Sequence, residues 1–184
     1  SVTGQPNAMG GREVGGLASM LAAHMGFSES ERDSAQRFWK SPVICPGPGL
    51  KAVDMFNAVA DGRIKAIWIM ATNPAVSMPG AGDVRAALAQ CPLVVVSDCI
   101  AKTDTTAFAH VKLPALGWGE KDGTVTNSER RISRVRAAVA AAGEARNDWA
   151  IGIDFARRLE ARLRPTAPTS SRSMASWWEA GRLP

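Results

Sequence analysis

Three polar residues, Asn73, Ser97 and Asp98, stand where apolar runs stop. KAIWIM at 65–70 gives way to Ala71, Thr72, Asn73 and Pro74, and LVVV at 93–96 gives way to Ser97 and Asp98. A carboxylate in such a place can accept two parallel hydrogen bonds from a guanine edge or a ribose diol. A Ser hydroxyl and free backbone N–H groups suit phosphate or sugar oxygens. Asn and Asp also shape turns and cap the segments that follow, and spacing alone leaves both roles open. No G-x-G-x-x-G follows a strand and no G-x-x-x-x-G-K-[ST] occurs, so a nucleotide-bearing ligand must be held in some other way.

Two further runs, TGQPNAMGGREVGG at 3–16 and GWGEKDGTVTNSERRISR at 117–134, are too rich in Gly, Asn, Arg and small polar residues to be core. They read as loops shaped around a polar ligand. Other chemistries find less support. His24 and His110 are far apart and have no nucleophile pattern beside them, so each reads as structural. Cys45, Cys91 and Cys99 are odd in number and lack a C-x-x-C spacing, which argues against a disulfide framework and against a zinc or iron–sulfur site within this chain. A reducing compartment is the simpler inference, and Cys99 reads as a packed thiol. The net charge of +5 is not laid out as a basic stripe with interleaved aromatics, so nucleic acid is not expected as a partner. The one dense cluster, Arg130, Arg131, Arg134 and Arg136, fits a solvated face and fits equally a surface that meets phosphates or an acidic neighbouring domain.

The elements that must position these residues follow a βαβ pattern. KAIWIM, a helix near 82–91 and LVVVSD predict strand, helix, strand in a parallel sheet, whose buried strands are continuous apolar runs. HVKLPA predicts a third strand after a turn or helix near 102–108. Ligands of open parallel sheets bind beyond the carboxyl ends of the strands, which puts Asn73, Ser97 and Asp98 on one edge. Leu and Met at helical spacing predict a helix over EVGGLASMLAAHM, with the stretch from Met20 to Met25 in the core. Ser28 and Glu31 stand in capping-box relation at the head of another helix. A Pro/Gly break at 41–49 precedes LKAVDMFNAVADG, an amphipathic helix stopped by Gly62. Trp149, Ile153, Ala156, Leu159 and Leu163 predict a closing helix with Asp148 in its first turn.

At 184 residues the chain has room for one α/β domain with a core of its own, here 1–164. The segment 165–184 shifts to Pro, Ser and Thr and reads as a linker or disordered tail, with Trp177 and Trp178 expected to dock on a neighbouring surface or to be left exposed. No run approaches the roughly 20 apolar residues that span a bilayer, so no membrane partner is expected. The start at Ser1, running almost at once into a motif, reads as a chain cut from something longer.

The two glycine-rich runs, with ATNP and VVSD, resemble signatures of the molybdopterin-dependent oxidoreductases, and within them the assimilatory, cytoplasmic nitrate reductases more than the periplasmic nitrate reductases or formate dehydrogenases. The resemblance covers roughly residues 3–163. It implies a Rossmann-like parallel sheet with flanking helices, a cofactor-binding domain of a larger enzyme that carries molybdenum bis(molybdopterin guanine dinucleotide). Residue by residue it assigns cofactor contacts to Gln5, Asn73, Ser97, Asp98, Lys121 and Asp148, and substrate placement to Arg12. A guanidinium suits nitrate because both are planar and can share two parallel hydrogen bonds. An inter-domain salt bridge is the other role open to Arg12. Outside the resemblance, Lys121 is an ordinary surface lysine and Asp148 a helix N-terminal residue favoured by the dipole. Asn127, Glu129 and Arg131 are expected to lock loops together. The molybdenum ligand and the cysteines of a 4Fe-4S cluster belong to other parts of such a parent, so no catalytic residue and no metal ligand is expected here. The partners implied are the remaining domains of the reductase, an electron-donor protein or domain, and nitrate. Another molybdopterin oxidoreductase such as a formate dehydrogenase, or a non-catalytic nucleotide- or anion-binding module, are the alternatives.

Overall fold

The computed structural model describes residues 7–163. In chain order it contains α1 (Ala8–Glu13), α2 (Glu29–Trp39), α3 (Ala52–Ala60), β1 (Ala66–Met70), α4 (Pro74–Ser77), α5 (Ala81–Gln90), β2 (Leu93–Asp98), β3 (Val111–Pro114), β4 (Gly123–Thr126), β5 (Ile132–Val135) and α6 (Asp148–Leu163). Single 3-10 turns lie at Ala22–His24, Thr106–Phe108 and Trp118–Glu120.

The α/β expectation holds. β1, β2 and β3 form a three-stranded parallel sheet in the order 1-2-3. β2 is central, with Ile67 level with Val94, Met70 level with Ser97, and Asp98 level with Pro114. Alternate residues along a strand face opposite sides of a sheet. Ile67, Ile69, Val94 and Val96 therefore turn to one side, where Phe56 and Val59 of α3 and Val84 and Leu88 of α5 close the core over them. Leu88, Val94 and Val96 are fully buried, and truncating a leucine in such a place typically costs about 2–5 kcal/mol. On the opposite side the Trp68 ring meets Phe155 of α6 edge-on, with centroids 5.2 Å apart. Trp68 Nε1 donates to Ser97 Oγ at 2.8 Å.

Local signals explain the helices. At the head of α2 the Glu31 carboxylate accepts from the Ser28 hydroxyl and from the backbone N–H groups of Ser28 and Gly26. These contacts hold its carboxyl below the ordinary glutamate range. α3 ends at Gly62, whose φ of +73° is open to glycine without strain. His110 is structural: Nδ1 accepts from the Val94 N–H and its own N–H donates to the Val94 carbonyl.

Three expectations are corrected. The run 3–16 is not all loop, because Ala8–Glu13 within it is helical. The helix expected over EVGGLASMLAAHM is absent: Gly15, Ala23 and His24 adopt positive φ, and only the turn Ala22–His24 remains. Met20 and Met25 are accordingly only half-buried, and Leu21 between them is the buried residue. The run 117–134 is also not all loop, since it holds the turn Trp118–Glu120 and the antiparallel hairpin of β4 and β5. Gln5, Trp177, Trp178 and the tail 165–184 lie outside the described residues. No helix among the described residues is long and apolar enough to cross a membrane.

Candidate functional site

The carboxyl edge of the sheet gathers Asn73, Ser97 and Asp98. β1 leaves the sheet through Ala71, which takes a positive φ of 52° while its N–H donates to the Ser97 carbonyl at 2.9 Å. A non-glycine residue in that region stores strain of about 1–3 kcal/mol and is typical of sites whose surroundings over-determine the backbone. The turn delivers Asn73 to the N-terminus of α4. Its Oδ1 accepts from the Thr105 N–H at 3.1 Å and from the Thr105 hydroxyl at 2.6 Å, so the loop after β1 is tied to the loop after β2.

Ser97 and Asp98 diverge, as neighbours on a strand must. Ser97 is 1% exposed and its hydroxyl is engaged by Trp68 beneath the sheet. Asp98 lies at the mouth of β2, where Oδ1 accepts from the Ile100 N–H at 2.9 Å. It lines a cleft of about 290 Å³ together with Cys99, Thr106, Lys112, Glu120 and Ala142, and Cys99, expected as a packed thiol, is exposed there. Glu120 shapes the far wall: its carboxylate accepts from the Gly117 N–H at 2.7 Å and from the Ala142 N–H at 3.2 Å, folding the segment after β5 back over the 3-10 turn.

Lys121 and Asp148, 27 apart in sequence with the whole hairpin between them, are brought together. Lys121 Nζ lies 2.6 Å from Asp148 Oδ2, with the side chains 29% and 31% exposed. The second carboxylate oxygen, Asp148 Oδ1, is buried with no hydrogen-bond partner among the described residues. A buried acceptor left without a donor is costly, and such atoms call for an explanation.

Arg12 is positioned differently. α1 packs on β4 and on the turn Ala22–His24, and Arg12 is half-buried there with no ion pair to any other described residue. Asn7, at the N-cap of α1, sends Oδ1 to the Thr126 N–H at 2.9 Å and so joins the two glycine-rich runs directly. Asn127, Glu129 and Arg131 tie the turn of the hairpin to itself: Asn127 Oδ1 accepts from the Arg131 N–H, and Glu129 pairs with both side chains. Among the described residues no three His, Cys, Asp or Glu side chains converge on a point that could hold a metal ion.

Sequence reasoning passed over Thr105, Asn7 and Glu120. Asn7 lies inside the run 3–16, and Glu120 inside the run 117–134. Thr105, fully buried, had no signal, since its partners Asn73 and Ala75 are 32 and 30 residues away.

A protein-family model described as Molybdopterin oxidoreductase matches residues 7–158. A nitrate reductase of Klebsiella oxytoca is 60% identical over 159 residues, 86% of this chain and 18% of that protein. A nitrate reductase of Shewanella frigidimarina (strain NCIMB 400) is 58% identical over 159 residues, again 86% of this chain and 17% of that protein. The F420-dependent formate dehydrogenase subunit alpha of Methanocaldococcus jannaschii is 36% identical over 156 residues, 85% of this chain and 23% of that protein. The chain thus spans less than a fifth of either nitrate reductase. Among solved structures, the acetylene hydratase from Pelobacter acetylenicus superposes with a TM-score of 0.52 at 20% identity, covering 79% of this chain and 17% of that one. At that identity the likeness speaks for the fold alone.

Proposed function

The chain belongs to the molybdopterin oxidoreductase family, and from that premise we propose that it is part of the catalytic subunit of an assimilatory nitrate reductase, the segment that helps hold molybdenum bis(molybdopterin guanine dinucleotide). The observation that carries the choice of substrate is that the relatives at 60% and 58% identity are nitrate reductases, whereas nitrate reductases and formate dehydrogenases stand side by side at 35% and 36%.

The residues fit such a cofactor. Asp148 Oδ1 is a buried acceptor in want of a donor, and guanine and pterin edges both offer N–H groups. Lys121 beside it supplies a cation for a phosphate or carbonyl oxygen, and Asp98 at its cleft supplies a second carboxylate acceptor. Arg12, half-buried and without an ion pair to any other described residue, keeps its fork for a planar anion. When bound, the molybdenum centre supplies the two-electron chemistry by which nitrate gives up one oxygen and leaves as nitrite. This chain's part is to bind, orient and enclose. The remaining domains of the parent, with a 4Fe-4S cluster and an electron donor, complete the enzyme, which we place in the cytoplasm.

Metal and pterin analysis of the purified parent enzyme, together with viologen-coupled nitrite production, tests the reading. Molybdenum, pterin and nitrite formation are expected in the parent, and none of them in the 184-residue chain alone. A parent that oxidises formate and leaves nitrate untouched would move the assignment to the formate dehydrogenases.

A further inference from the structure

We propose that Thr105 is a positioning residue that fixes the polarity of Asn73, so that Asn73 meets its ligand only as a hydrogen-bond donor. A primary amide can present either its oxygen or its nitrogen, and which end faces outward decides what it can bind. Here the choice is made by a backbone group. The Thr105 N–H can only donate, and it lies 3.1 Å from the Asn73 amide, so the amide must turn its oxygen inward. The orientation follows from donor chemistry and does not rest on telling nitrogen from oxygen.

The Thr105 hydroxyl completes the lock. Its oxygen accepts from the Ala75 N–H at 3.2 Å, which directs its own hydrogen to Asn73 Oδ1 at 2.6 Å. Both lone pairs of Oδ1 are thereby used. Thr105 is fully buried, so water does not compete for these bonds. The amide nitrogen donates to no other described residue and keeps both hydrogens. The group opposite Asn73 must then be an acceptor: a phosphate, ribose or carbonyl oxygen, and not an N–H edge. This deepens the cofactor reading and rests on it, with Asn73 serving the oxygen-rich part of the cofactor and Asp98 and Asp148 serving its N–H groups.

Three variants of the parent enzyme test the idea, read by molybdenum and pterin content and by thermal unfolding of the cofactor-free protein. Asn73→Asp keeps the acceptor that Thr105 needs but replaces the outward donor with an anion. It is expected to lower cofactor content about tenfold with the unfolding midpoint of the cofactor-free protein unchanged. Thr105→Val removes the hydroxyl and should lower content by a smaller factor, and Thr105→Ser should restore it. Wild-type content in Asn73→Asp, or equal loss in Thr105→Val and Thr105→Ser, overturns the proposal. So does a loss in Asn73→Asp that is matched by a lower unfolding midpoint of the cofactor-free protein, which would make the network purely structural. Asp98→Ala is the control that separates the two levels: if it loses cofactor while Asn73→Asp does not, the cofactor site stands and the role given to Asn73 and Thr105 falls.

Discussion

Asn7 Oδ1 accepts the Thr126 backbone N–H at 2.9 Å, across 119 residues of sequence. The bond fastens the N-terminus of α1, and with it the helix that carries Arg12, to β4 of the hairpin. Thr126 is buried, so its N–H has little water to turn to if the bond is broken.

Gly10 makes that bond possible. A Cβ at this position would lie 2.3 Å from Asn7 Oδ1, so the side chain would have to leave its place. Glycine to alanine in a helix ordinarily stabilises by about 0.5–1 kcal/mol. Here Gly10→Ala should instead destabilise, by about 1–2 kcal/mol, as Asn7→Ala should, because each strands a buried donor. Denaturant unfolding gives the sign, and amide exchange at Thr126 gives the place. Slower exchange in Gly10→Ala would contradict the account.

The Lys121 and Asp148 pair should couple more strongly than the fully solvated pairs. Arg37 and Asp33 sit one helical turn apart with side chains 73% and 56% exposed, and pairs of that kind contribute about 0.3–0.5 kcal/mol. For Lys121 and Asp148 a double-mutant cycle with Lys121→Met and Asp148→Asn should give about 1 kcal/mol or more, even after discounting for their partial exposure. The coupling should also persist in salt that abolishes the surface pair. Equal coupling energies for the two pairs would show that burial adds nothing here.

Glu31 carries a pH dependence whose sign follows from its surroundings. The Ser28 hydroxyl first, then the N–H groups of Gly26 and Ser28, favour the ionised carboxylate and lower its pKa from 4.5. Its contribution to α2 is therefore complete above the unfolded value and is lost as the pH falls through the lower folded one. An NMR titration should find Glu31 ionising below 4.5, and Ser28→Ala should move it back up. A glutamate that titrates at or above the ordinary value would remove the capping box from the stability of α2.

Variants of Arg12 test the proposed placing of nitrate. If Arg12 holds a planar anion as proposed, Arg12→Lys in the parent enzyme keeps the charge and loses the planar fork, so nitrate turnover per bound molybdenum should fall while cofactor content stays near normal, and Arg12→Gln should be worse. If Arg12 is instead an inter-domain salt bridge, stability and cofactor content should fall together with the affinity for nitrate intact. Steady-state kinetics normalised to molybdenum distinguish the two.

What the residues disclosed in advance follows their physics. β1 and β2 were legible because they are written as unbroken apolar runs, although only the Ile67, Ile69, Val94 and Val96 face is fully buried, and α6 because its apolar residues repeat at helical spacing. The helix in AMGGRE was not, since two adjacent glycines argue against the helix that tertiary contacts with β4 impose. Nor was the hairpin: β4 and β5 are largely exposed and show no apolar alternation. At the candidate site, the polar ends of β1 and β2 point to Asn73, Ser97 and Asp98 as candidates. That Ser97 would be engaged by Trp68, and Asn73 by Thr105, depends on pairings across 29 and 32 residues that no local pattern encodes.

The chain leaves the sheet after Ala115 and comes back to the same spot at Arg146, which forms an isolated parallel bridge with Ala115, donates its N–H to Pro114 and accepts from Leu116. Everything from 117 to 145 is therefore an excursion clasped at its neck. A change of length at the hairpin's turn, 127–131, need not propagate into the strand register or the start of α6, because both are anchored at the clasp, and the bonds from Lys121 to Asp148 and from Thr126 to Asn7 lie on the near side of that turn. The tip of this arm can thus be resized while the scaffold beneath it stays fixed.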